Sequence, residues 1–288
     1  IVTNDDLSKI VDTNDEWIVD RTGIKERRLA ADNQATSDLA YEAALKALAN
    51  ANVQPEEIDL IITATITPDT FFPSTACIIQ NRLKAVNAAA FDLSAACSGF
   101  VYGLSVATQF IKSGAYKKVL VVASETLSKI INWEDRNTCV LFGDGAGAAV
   151  LGQVDEGGIL GFELGADGSG GDVLSMPAGG SLNPATEQTV KDKMHYIHMN
   201  GNEVFKFAIK VMGDAAQKAL DNAGLDKEEI DCLVPHQANI RIINSAAKRL
   251  KLGMDKVFVN VEKYGNTSAA SIPIALAEAV ENKKIKKG

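Results

Sequence analysis

Short, uninterrupted apolar runs alternate along the chain with longer segments of helical periodicity. Such runs are typical of strands buried on both faces by helices, so the pattern predicts an α/β protein. Residues 165–201 are rich in Gly, Asn, Pro and Ser without clear periodicity, which indicates a long surface excursion that can cover a site. The predicted strands cover residues 60–65, 89–92, 119–123, 232–235 and 257–261, with two more strand segments joined by a glycine-rich bend within residues 140–151.

The glycine-rich bend is not typical of a nucleotide-binding loop. It lacks a G-x-G-x-x-G motif in front of a helix, because the chain continues into apolar residues typical of a strand. Close backbone packing is therefore the preferred interpretation.

A twenty-residue segment occurs twice, which indicates a duplicated domain. Residues 43–62 (AALKALANANVQPEEIDLII) and 215–234 (AAQKALDNAGLDKEEIDCLV) are identical at eleven positions with a constant offset of 172. This period is too long for a solenoid. Each copy predicts an Ala/Leu-rich helix, a Glu-Glu-Ile-Asp turn and a short apolar strand. We therefore predict two similar halves, residues 1–157 and 158–288.

The same offset relates two predicted helix starts. Cys97 displaced by 172 falls on position 269, three residues from Asn266. Both segments follow a strand-like run and begin an Ala/Ser-rich helix. In a two-fold arrangement these helix starts would face each other, so that two distant loops form one site.

Composition and charge exclude several classes of protein. With 288 residues, of which 46% are hydrophobic and 23% charged, the chain has the composition of a globular protein in water. Its formal net charge of −8 argues against general nucleic-acid binding. No apolar run approaches the ~20 residues that span a bilayer, and no signal peptide is visible, so we expect a cytoplasmic protein without membrane association. The four cysteines are widely separated, which is typical of reduced thiols and not of disulfides or a zinc site.

Cys97 lies where a predicted strand ends and a predicted helix begins. A helix N-terminus carries partial positive charge and unpaired N–H groups, both of which favour a thiolate. We therefore expect the pKa of Cys97 to lie far below the ordinary value of about 8.5. Its neighbours Ala95, Ala96, Ser98 and Gly99 are small and would let a substrate carbonyl approach the sulfur. The pattern indicates an acyl-accepting nucleophile, with an inert buried thiol as the alternative.

His236 is the histidine best placed for catalysis. It ends the predicted strand of the second copy, at the edge of a sheet where α/β proteins bind ligands, with a purely structural histidine as the alternative. His195 and His198 lie in an irregular segment without an Asp, Glu or Cys cluster, so packing roles are favoured over a metal site. Cys97, His236 and Asn266 form a chemical set. The thiolate attacks a thioester, and the imidazole and amide hydrogen-bond the carbonyl oxygen as it becomes an enolate or oxyanion.

The chain resembles the initiating condensing enzymes of bacterial fatty-acid synthesis, the β-ketoacyl-acyl-carrier-protein synthase III family of the thiolase-like superfamily. The most specific matches are HQAN at 236–239 and GNTSAAS at 265–271. The resemblance implies a thiolase-like layered αβαβα fold made of two similar halves. All matching segments follow in family order at residues 12–18, 21–24, 95–99, 135–136, 142–147, 200–205, 235–242 and 264–273.

The resemblance implies a decarboxylative condensation of a short acyl-coenzyme A primer with malonyl-acyl carrier protein, giving a 3-oxoacyl-acyl carrier protein. Cys97 would be the acylated nucleophile, and His236 and Asn266 would assist malonyl decarboxylation. Coenzyme A thioester would be a substrate, and no metal or other cofactor would be required.

The resemblance also implies a coenzyme A site and its residues. Trp17 and Arg136 would flank the adenine, a role that an indole and a planar guanidinium suit. Thr13 and Arg21 would contact the nucleotide end. The implied pantetheine channel is formed by Gly201, Phe205 and Asn239.

Two protein partners are implied in the same way. Phe72 matches the residue that reaches across a homodimer to close the partner's acyl pocket, with a core aromatic as the alternative. Basic side chains on an acidic chain would form a docking surface for acidic acyl carrier protein, with an ordinary solvated helix face as the alternative. These basic residues are Lys206, Arg241, Lys248, Arg249 and Lys251.

Three other functions remain open at the level of sequence. A related condensing enzyme of secondary metabolism or polyketide synthesis uses the same Cys/His/Asn set. A papain-like hydrolase has these residue types in the same chain order but lacks here the C-G-S-C-W environment. A non-catalytic carrier-binding module is the third. Family members normally have a further first strand and a last strand with a glycine-rich loop whose N–H completes the oxyanion hole; we expect these segments to have been removed here.

Overall fold

The computed structural model of the protein describes residues 1–286, and its strands and helices alternate along the chain. The strands are β1 (Val2–Thr3), β2 (Glu26–Arg27), β3 (Leu60–Ala64), β4 (Ala89–Leu93), β5 (Lys118–Glu125), β6 (Gly145–Gly152), β7 (Leu174–Ser175) and β8 (His198–Met199). The α-helices are α1 (Asn4–Leu7), α2 (Asp15–Thr22), α3 (Thr36–Ala51), α4 (Thr75–Leu83), α5 (Gly99–Lys112), α6 (Arg136–Cys139), α7 (Glu187–Lys191), α8 (Gly201–Ala223), α9 (Ile240–Leu250), α10 (Val261–Tyr264) and α11 (Ser271–Glu281).

A four-stranded sheet in the order β4-β3-β5-β6 forms the centre of the first half. Strands β4 and β5 are parallel to β3, and β6 is antiparallel to β5. The strands predicted from the apolar runs at 60–65, 89–92 and 119–123 are present with small shifts at their ends. The prediction of an α/β protein is confirmed at this sheet.

Helices bury both faces of the sheet, which explains why its central strands have no polar face. In β3, Ile61 contacts the cluster formed by α3 and α4, whereas Leu60 and Ile62 contact the cluster around Phe100 of α5. This alternation follows from the two-residue period of a strand. All five residues of β3 are buried. The sheet is therefore rigid support for the loops at the carboxyl ends of β3, β4 and β5.

The second half contains much less strand than the sequence predicts. The runs 232–235 and 257–261 form only one parallel bridge, between Leu233 and Val257. Two backbone hydrogen bonds hold it, Leu233 N–H to Lys256 C=O at 2.8 Å and Phe258 N–H to Leu233 C=O at 2.9 Å. The prediction of two full strands was wrong, because an apolar run becomes a strand only where a neighbour pairs along its whole length.

The glycine-rich segment also differs from its prediction. Residues 140–151 do not form two strand segments: α6 ends at Cys139, Phe142 makes a single bridge to Asn266, and β6 begins at Gly145. A Cβ atom on Gly147 would lie 2.7 Å from Cβ of Pro273. Glycine is therefore required where β6 meets α11, which agrees with the close backbone packing inferred from the sequence.

The repeated segments adopt the same local structure. Helices α3 and α8 end in left-handed residues, Asn52 (φ 52°) and Gly224 (φ 69°), which are 172 residues apart. The Glu-Glu-Ile-Asp sequences that follow form 3₁₀ turns at Pro55–Glu57 and Lys227–Glu229. The boundary after residue 157 stays a prediction.

The excursion predicted at 165–201 is largely irregular, as expected. It contains the short pair β7–β8 and helix α7, and its first residues, 165–167, border a cavity beside Cys97. Within residues 1–286, no helix has both the length and the apolar composition needed to cross a membrane.

Candidate active site

Two 3₁₀ turns, one from each half, face each other beside the sheet. The Cys97 turn (Ala96–Ser98) leads into α5, and the Ser268 turn (Ser268–Ala270) leads into α11. The two turns are in contact, and a Cβ atom on Gly99 would lie 3.3 Å from Cβ of Ala269. The predicted meeting of the two helix starts is confirmed.

Each turn contains one residue with a strained backbone, and the two residues occupy equivalent positions of the repeat. Ala96 has φ 45° and Ser268 has φ 48°, and the two positions are 172 residues apart. A residue with a side chain rarely adopts this left-handed region, and such strain is concentrated at functional sites. In the first half it presents the next residue, Cys97, at the N-terminus of a helix of 14 residues.

The pKa of Cys97 is raised, whereas the sequence predicted that it would be lowered. Burial is the largest effect and, with the negative charge of Glu125, raises the pKa of the Cys97 thiol to about 11. The helix N-terminus favours the thiolate, but the loss of hydration and the nearby carboxylate outweigh it. The expected low pKa was wrong.

His236 is held by a serine at the start of α11. Its Nδ1 lies 2.6 Å from Ser271 Oγ, and the Gln237 N–H donates to the same oxygen at 3.4 Å. Burial lowers the pKa of His236 to about 4, so the ring is neutral at neutral pH. When Ser271 donates to Nδ1, the ring proton lies on Nε2, which then acts as a donor.

Asn266 is fixed by its backbone and by one side-chain oxygen. Its N–H donates to Leu141 C=O at 2.8 Å and its C=O accepts from Gly143 N–H at 3.0 Å. Its Oδ1 accepts from the Ser268 N–H at 2.9 Å. With Oδ1 occupied, the amide nitrogen Nδ2 is the part of Asn266 available as a donor.

A cavity of about 670 Å³ contains Cys97 and His236 in its wall. Its size is within the range of small-molecule sites. Residues 161–167, which include the first three residues of the excursion, line it, and α8 contributes one face that includes Phe207 and Val211. Cys97 and His236, which the sequence places 139 residues apart, therefore border the same space.

Two guanidinium groups lie over the ring of Trp17. Cζ of Arg21 is 4.5 Å from the centre of its ring and Cζ of Arg136 is 5.2 Å away. Arg136 also donates from Nη1 to the Asp12 C=O at 3.0 Å. The structure thus brings together three of the four residues predicted for the nucleotide. The fourth, Thr13, has a buried Oγ1 without a hydrogen-bond partner among the described residues.

The residues predicted for the pantetheine channel do not border the 670 Å³ cavity. Gly201 is the exposed first residue of α8, and Asn239 caps α9 by accepting the Ile242 N–H at 3.0 Å. Phe205 is half-buried, with Cζ of Arg241 5.9 Å from its ring centre. Their contact with a substrate stays a prediction.

The residues predicted to meet other proteins are exposed. Phe72 has 86% of its surface exposed, so it is not the core aromatic of the alternative interpretation. Lys206, Arg241, Lys248, Arg249 and Lys251 are exposed on and next to the packed helices α8 and α9. Within this set Arg249 donates to Asp214 of α8 at 2.5 Å, and Lys206 pairs with Glu203 at 2.8 Å.

The other two histidines have local partners. Nε2 of His195 is 2.9 Å from Thr189 Oγ1, and Nε2 of His198 is 3.2 Å from Lys193 C=O. Within residues 1–286, no group of three His, Cys, Asp or Glu side chains is arranged to hold a metal ion.

Three residues of the site were missed by the sequence analysis: Ser268, Ser271 and Glu125. The first two lie inside the GNTSAAS motif. The 172-residue repeat relates them to residues 96 and 99 of the Cys97 segment, and this relation could have predicted that they lie at the site. Glu125 ends the strand β5, which packs against the Ser268 turn, and only the packed structure brings that strand end to the site.

Comparison with solved structures defines the class of protein. The crystal structure of 3-oxoacyl-[acyl-carrier-protein] synthase III from Aquifex aeolicus superposes with a TM-score of 0.92 and 51% identity, covering 100% of this chain and 88% of that chain. The β-ketoacyl-[acyl-carrier-protein] synthase III of Thermus thermophilus gives 0.92 and 48% with the same coverage. A priming β-ketosynthase from the R1128 polyketide pathway gives 0.90 and 38%, covering 100% and 85%. The predicted thiolase-like fold is confirmed, and the protein is a condensing acyltransferase.

Comparison of sequences defines the family. The family model described as 3-oxoacyl-[acyl-carrier-protein (ACP)] synthase III matches residues 91–168, and its C-terminal counterpart matches residues 220–288. β-Ketoacyl-[acyl-carrier-protein] synthase III from Caldanaerobacter subterraneus subsp. tengcongensis is 64% identical over 100% of this chain and 87% of its own length. The chain belongs to the β-ketoacyl-[acyl-carrier-protein] synthase III family, the condensing enzymes that initiate fatty-acid synthesis. A papain-like hydrolase is thereby excluded.

Proposed function

We propose that the protein condenses a short acyl-coenzyme A primer with malonyl-acyl carrier protein, with loss of carbon dioxide, to form a 3-oxoacyl-acyl carrier protein. The observation that supports this most directly is the common wall of one cavity formed by Cys97 and His236. Family membership supplies the substrate class, and a coenzyme A thioester takes part as a substrate with no other cofactor or metal. The four free cysteines are in keeping with a cytoplasmic location.

Each residue of the Cys/His/Asn set has one role in the proposed reaction. The Cys97 sulfur attacks the primer thioester and coenzyme A leaves. The malonyl thioester then binds with its carbonyl oxygen toward His236 Nε2–H and Asn266 Nδ2–H. Both donors stabilise the enolate as carbon dioxide leaves, and its carbon attacks the acyl group on Cys97. Loss of one such donor typically slows a reaction by about 10²–10³-fold.

The nucleotide of coenzyme A is proposed to bind at Trp17. The Arg136 guanidinium lies over the indole face, where it occupies the place of a flat aromatic group. Adenine would enter between Trp17 and Arg136. The direct contact of Arg136 with Trp17 would then be replaced by two stacking contacts, one on each face of the adenine. Arg21, whose guanidinium is 4.5 Å from the ring centre of Trp17, and Thr13, whose Oγ1 has no hydrogen-bond partner among the described residues, are proposed to contact the nucleotide as well.

The exposed basic residues of α8 and α9 are proposed to bind the acidic acyl carrier protein. Arg241 and Lys248 are seven residues apart and therefore lie on one face of α9. Arg249 contributes less charge because Asp214 accepts its hydrogen bond.

We expect the affinity for carrier protein, measured in a binding titration, to fall as the salt concentration rises. The affinity should also be lower in Arg241→Ala, whereas the control Lys46→Ala should bind as the unmodified protein does.

A homodimer is proposed with β4 at its interface. Strand β4 is an edge strand, and its outer side has no partner among the described residues. Four apolar side chains near this edge are exposed: Phe71 by 82%, Phe72 by 86%, Val86 by 70% and Phe91 by 36%. An unprotected apolar edge is typical of a surface that pairs with another chain.

Intact mass spectrometry after brief exposure to short acyl-coenzyme A thioesters tests the proposed function. A single acyl adduct on the protein that is absent from Cys97→Ser supports the covalent step, and Cys77→Ser is the matched control that must keep the adduct. Absence of any adduct on the folded protein would overturn the mechanism and favour a non-catalytic carrier-binding module.

The second candidate is a priming condensing enzyme of polyketide synthesis, favoured by the 38% identity to the R1128 enzyme. The higher identity of 64% to a fatty-acid enzyme favours the first candidate. Comparing malonyl-acyl carrier proteins of the two pathways as extenders separates them.

A further inference from the structure

A buried amide side chain in the HQAN segment forms hydrogen bonds with both of its polar atoms. Gln237 has 1% of its surface exposed and does not line the 670 Å³ cavity. Its Nε2 donates to Pro235 C=O at 2.9 Å and to Phe258 C=O at 3.2 Å. Its Oε1 accepts from the Asn260 N–H at 3.0 Å and from the Val261 N–H at 3.2 Å. Two donors and two acceptor positions are the full capacity of an amide group.

The Gln237 side chain continues a connection that the backbone begins. The segment that contains His236 and the segment that leads into α10 share one bridge, between Leu233 and Val257. The last backbone bond of this bridge runs from the Phe258 N–H to Leu233 C=O at 2.9 Å. Beyond that point the bonds of Gln237 hold the two segments together.

Gln237 also caps helix α10. The first N–H groups of a helix have no partner within it, and the side chain of the preceding residue usually accepts one of them. Asn260 precedes α10 but makes no capping bond, and its Nδ2 donates instead to Glu278 Oε2 at 3.1 Å. The Oε1 atom of Gln237 supplies the acceptor from another segment. A helix of four residues depends on such outside support.

Helix α10 connects this cap to Asn266. The Gly265 N–H donates to Val261 C=O at 2.9 Å, and Asn266 is the next residue. At the other end of the connection, Gln237 directly follows His236 in the chain. The Gln237 side chain therefore lies on a short structural path between the two residues proposed as donors to the malonyl carbonyl.

We propose that Gln237 is a positioning residue that fixes the distance between these donors, His236 Nε2–H and Asn266 Nδ2–H. The proposal rests on the proposed function, because both donors act in malonyl decarboxylation. They stabilise the enolate only where both converge on one oxygen. A misplacement of about 1 Å can cost about 10²-fold in rate, even when the altered residue does not contact the substrate.

Two substitutions remove the hydrogen bonds of Gln237 to different extents. Gln237→Met keeps a similar length but leaves all four backbone groups without this partner. Gln237→Glu keeps the shape of the side chain, and burial favours its protonated form. A protonated carboxyl group can accept from both N–H groups and donate to one carbonyl, so this conservative variant keeps most of the connection.

The experiment measures two single steps in the unmodified protein and in both variants. One is acylation of Cys97 by a short acyl-coenzyme A, and the other is condensation of the acylated protein with malonyl-acyl carrier protein. Gln80→Met is the matched control, because Gln80 Nε2 in α4 donates to one backbone carbonyl, Ala85 C=O, at 2.7 Å. All rates are measured at a temperature where circular dichroism shows every variant to be folded.

The proposal predicts a selective loss of condensation. In Gln237→Met the kcat of condensation should fall by about 10²-fold, and in Gln237→Glu it should fall by a smaller factor. The KM for malonyl-acyl carrier protein and the rate of Cys97 acylation should stay within about twofold, because Gln237 does not line the cavity. Gln80→Met should match the unmodified protein in both steps.

Hydrogen exchange measured by mass spectrometry tests the cap on α10 without any substrate. Peptides that cover residues 258–266 should exchange faster in Gln237→Met, because the Asn260 and Val261 N–H groups lose their acceptor. The same peptides should be unchanged in Gln80→Met.

Three outcomes would overturn the proposal. If acylation and condensation fall by the same factor in Gln237→Met, the residue only supports the fold. If neither rate falls, the two donors do not depend on Gln237. Unchanged exchange in residues 258–266 would show that Gln237 does not hold α10. Absence of an acyl adduct on the unmodified protein would instead be a failure of the proposed function, and the exchange measurement distinguishes the two failures.

Discussion

Cys97 and His236 are both uncharged at neutral pH, and burial causes both states. It raises the pKa of the thiol to about 11 and lowers that of the imidazole to about 4. A neutral imidazole donates from one nitrogen only. If Ser271 Oγ, 2.6 Å from Nδ1, donates its proton to that nitrogen, Nε2 carries the ring proton and is the donor of His236.

Replacing Ser271 by Ala should impair decarboxylation more than acylation. Without the hydroxyl, the ring proton is free to move to Nδ1, and Nε2 then ceases to donate to the malonyl carbonyl. We expect the condensation rate to fall by about 10–100-fold, the range for a residue that orients a functional histidine. Acyl-adduct formation on Cys97 should stay within twofold, about the scatter of such measurements. Stopped-flow and mass measurements give the two rates.

The control for this variant is Ser113→Ala at the end of α5, whose Oγ donates to Phe110 C=O at 3.0 Å. Ser113 is a helix-terminal serine at the end of α5 opposite to Cys97. Equal losses of acylation and condensation in Ser271→Ala would contradict the tautomer argument.

His236 should also make the protein less stable in mild acid. Its pKa is lowered from 6.5 to about 4 in the folded state, so between these values the unfolded chain binds the proton more strongly. Stability is therefore fully present above pH 6.5 and is lost as the pH falls toward 4. From pH 6.5 to 4.5 this loss is about 2 kcal/mol. Urea unfolding of the protein and of His236→Gln at both pH values should differ by this amount, and an identical pH dependence would contradict it.

At the scale of elements, the site depends on the close approach of two turns. Gly99 begins α5 where a side chain would meet Cβ of Ala64 at 2.9 Å and Cβ of Ala269 at 3.3 Å. Ala64 ends β3 and Ala269 belongs to the Ser268 turn. One glycine therefore permits contact among the sheet, the Cys97 turn and the Ser268 turn.

Gly99→Ala should separate the two turns and destabilise the protein. Overpacking of this kind costs about 1–3 kcal/mol. Because the Cys97 turn would be displaced from its place beside His236, the acylation rate should fall as well. Gly170→Ala is the matched control, since no atom lies within 4 Å of a Cβ built there. Chemical unfolding and acyl-adduct formation measure both effects, and wild-type stability in Gly99→Ala would refute the close-approach argument.

At the scale of the whole molecule, the edge of the sheet determines the proposed assembly. Phe91 lies in the middle of the edge strand β4, where a charge would oppose pairing with a second copy. We expect Phe91→Glu to sediment as a monomer under conditions where the unmodified protein is a dimer. Leu182→Glu is the control, because Leu182 is 88% exposed in the 165–201 excursion. If both variants sediment as monomers, or if both remain dimers, the interface does not lie at β4.

The sequence predicts some of these features better than others. The repeat at an offset of 172 predicts that the Cys97 and Ser268 turns meet, because equivalent loops of a duplicated unit fall at equivalent places. The pKa of Cys97 is not predictable in the same way, since it depends on burial and on Glu125, which reaches the site only through the register of β5. Strands at 232–235 and 257–261 were overpredicted because four or five apolar residues do not specify a pairing partner.

The two equivalent turns have different parts in the site. The second half has the same strained residue, Ser268, but has Ala269 where the first half has Cys97, and Ala269 is fully buried. The first half thus carries the nucleophile, and the second half supplies the turn that packs against it. A chain built from two similar halves therefore contains one reactive centre and not two, and each half is incomplete without the other.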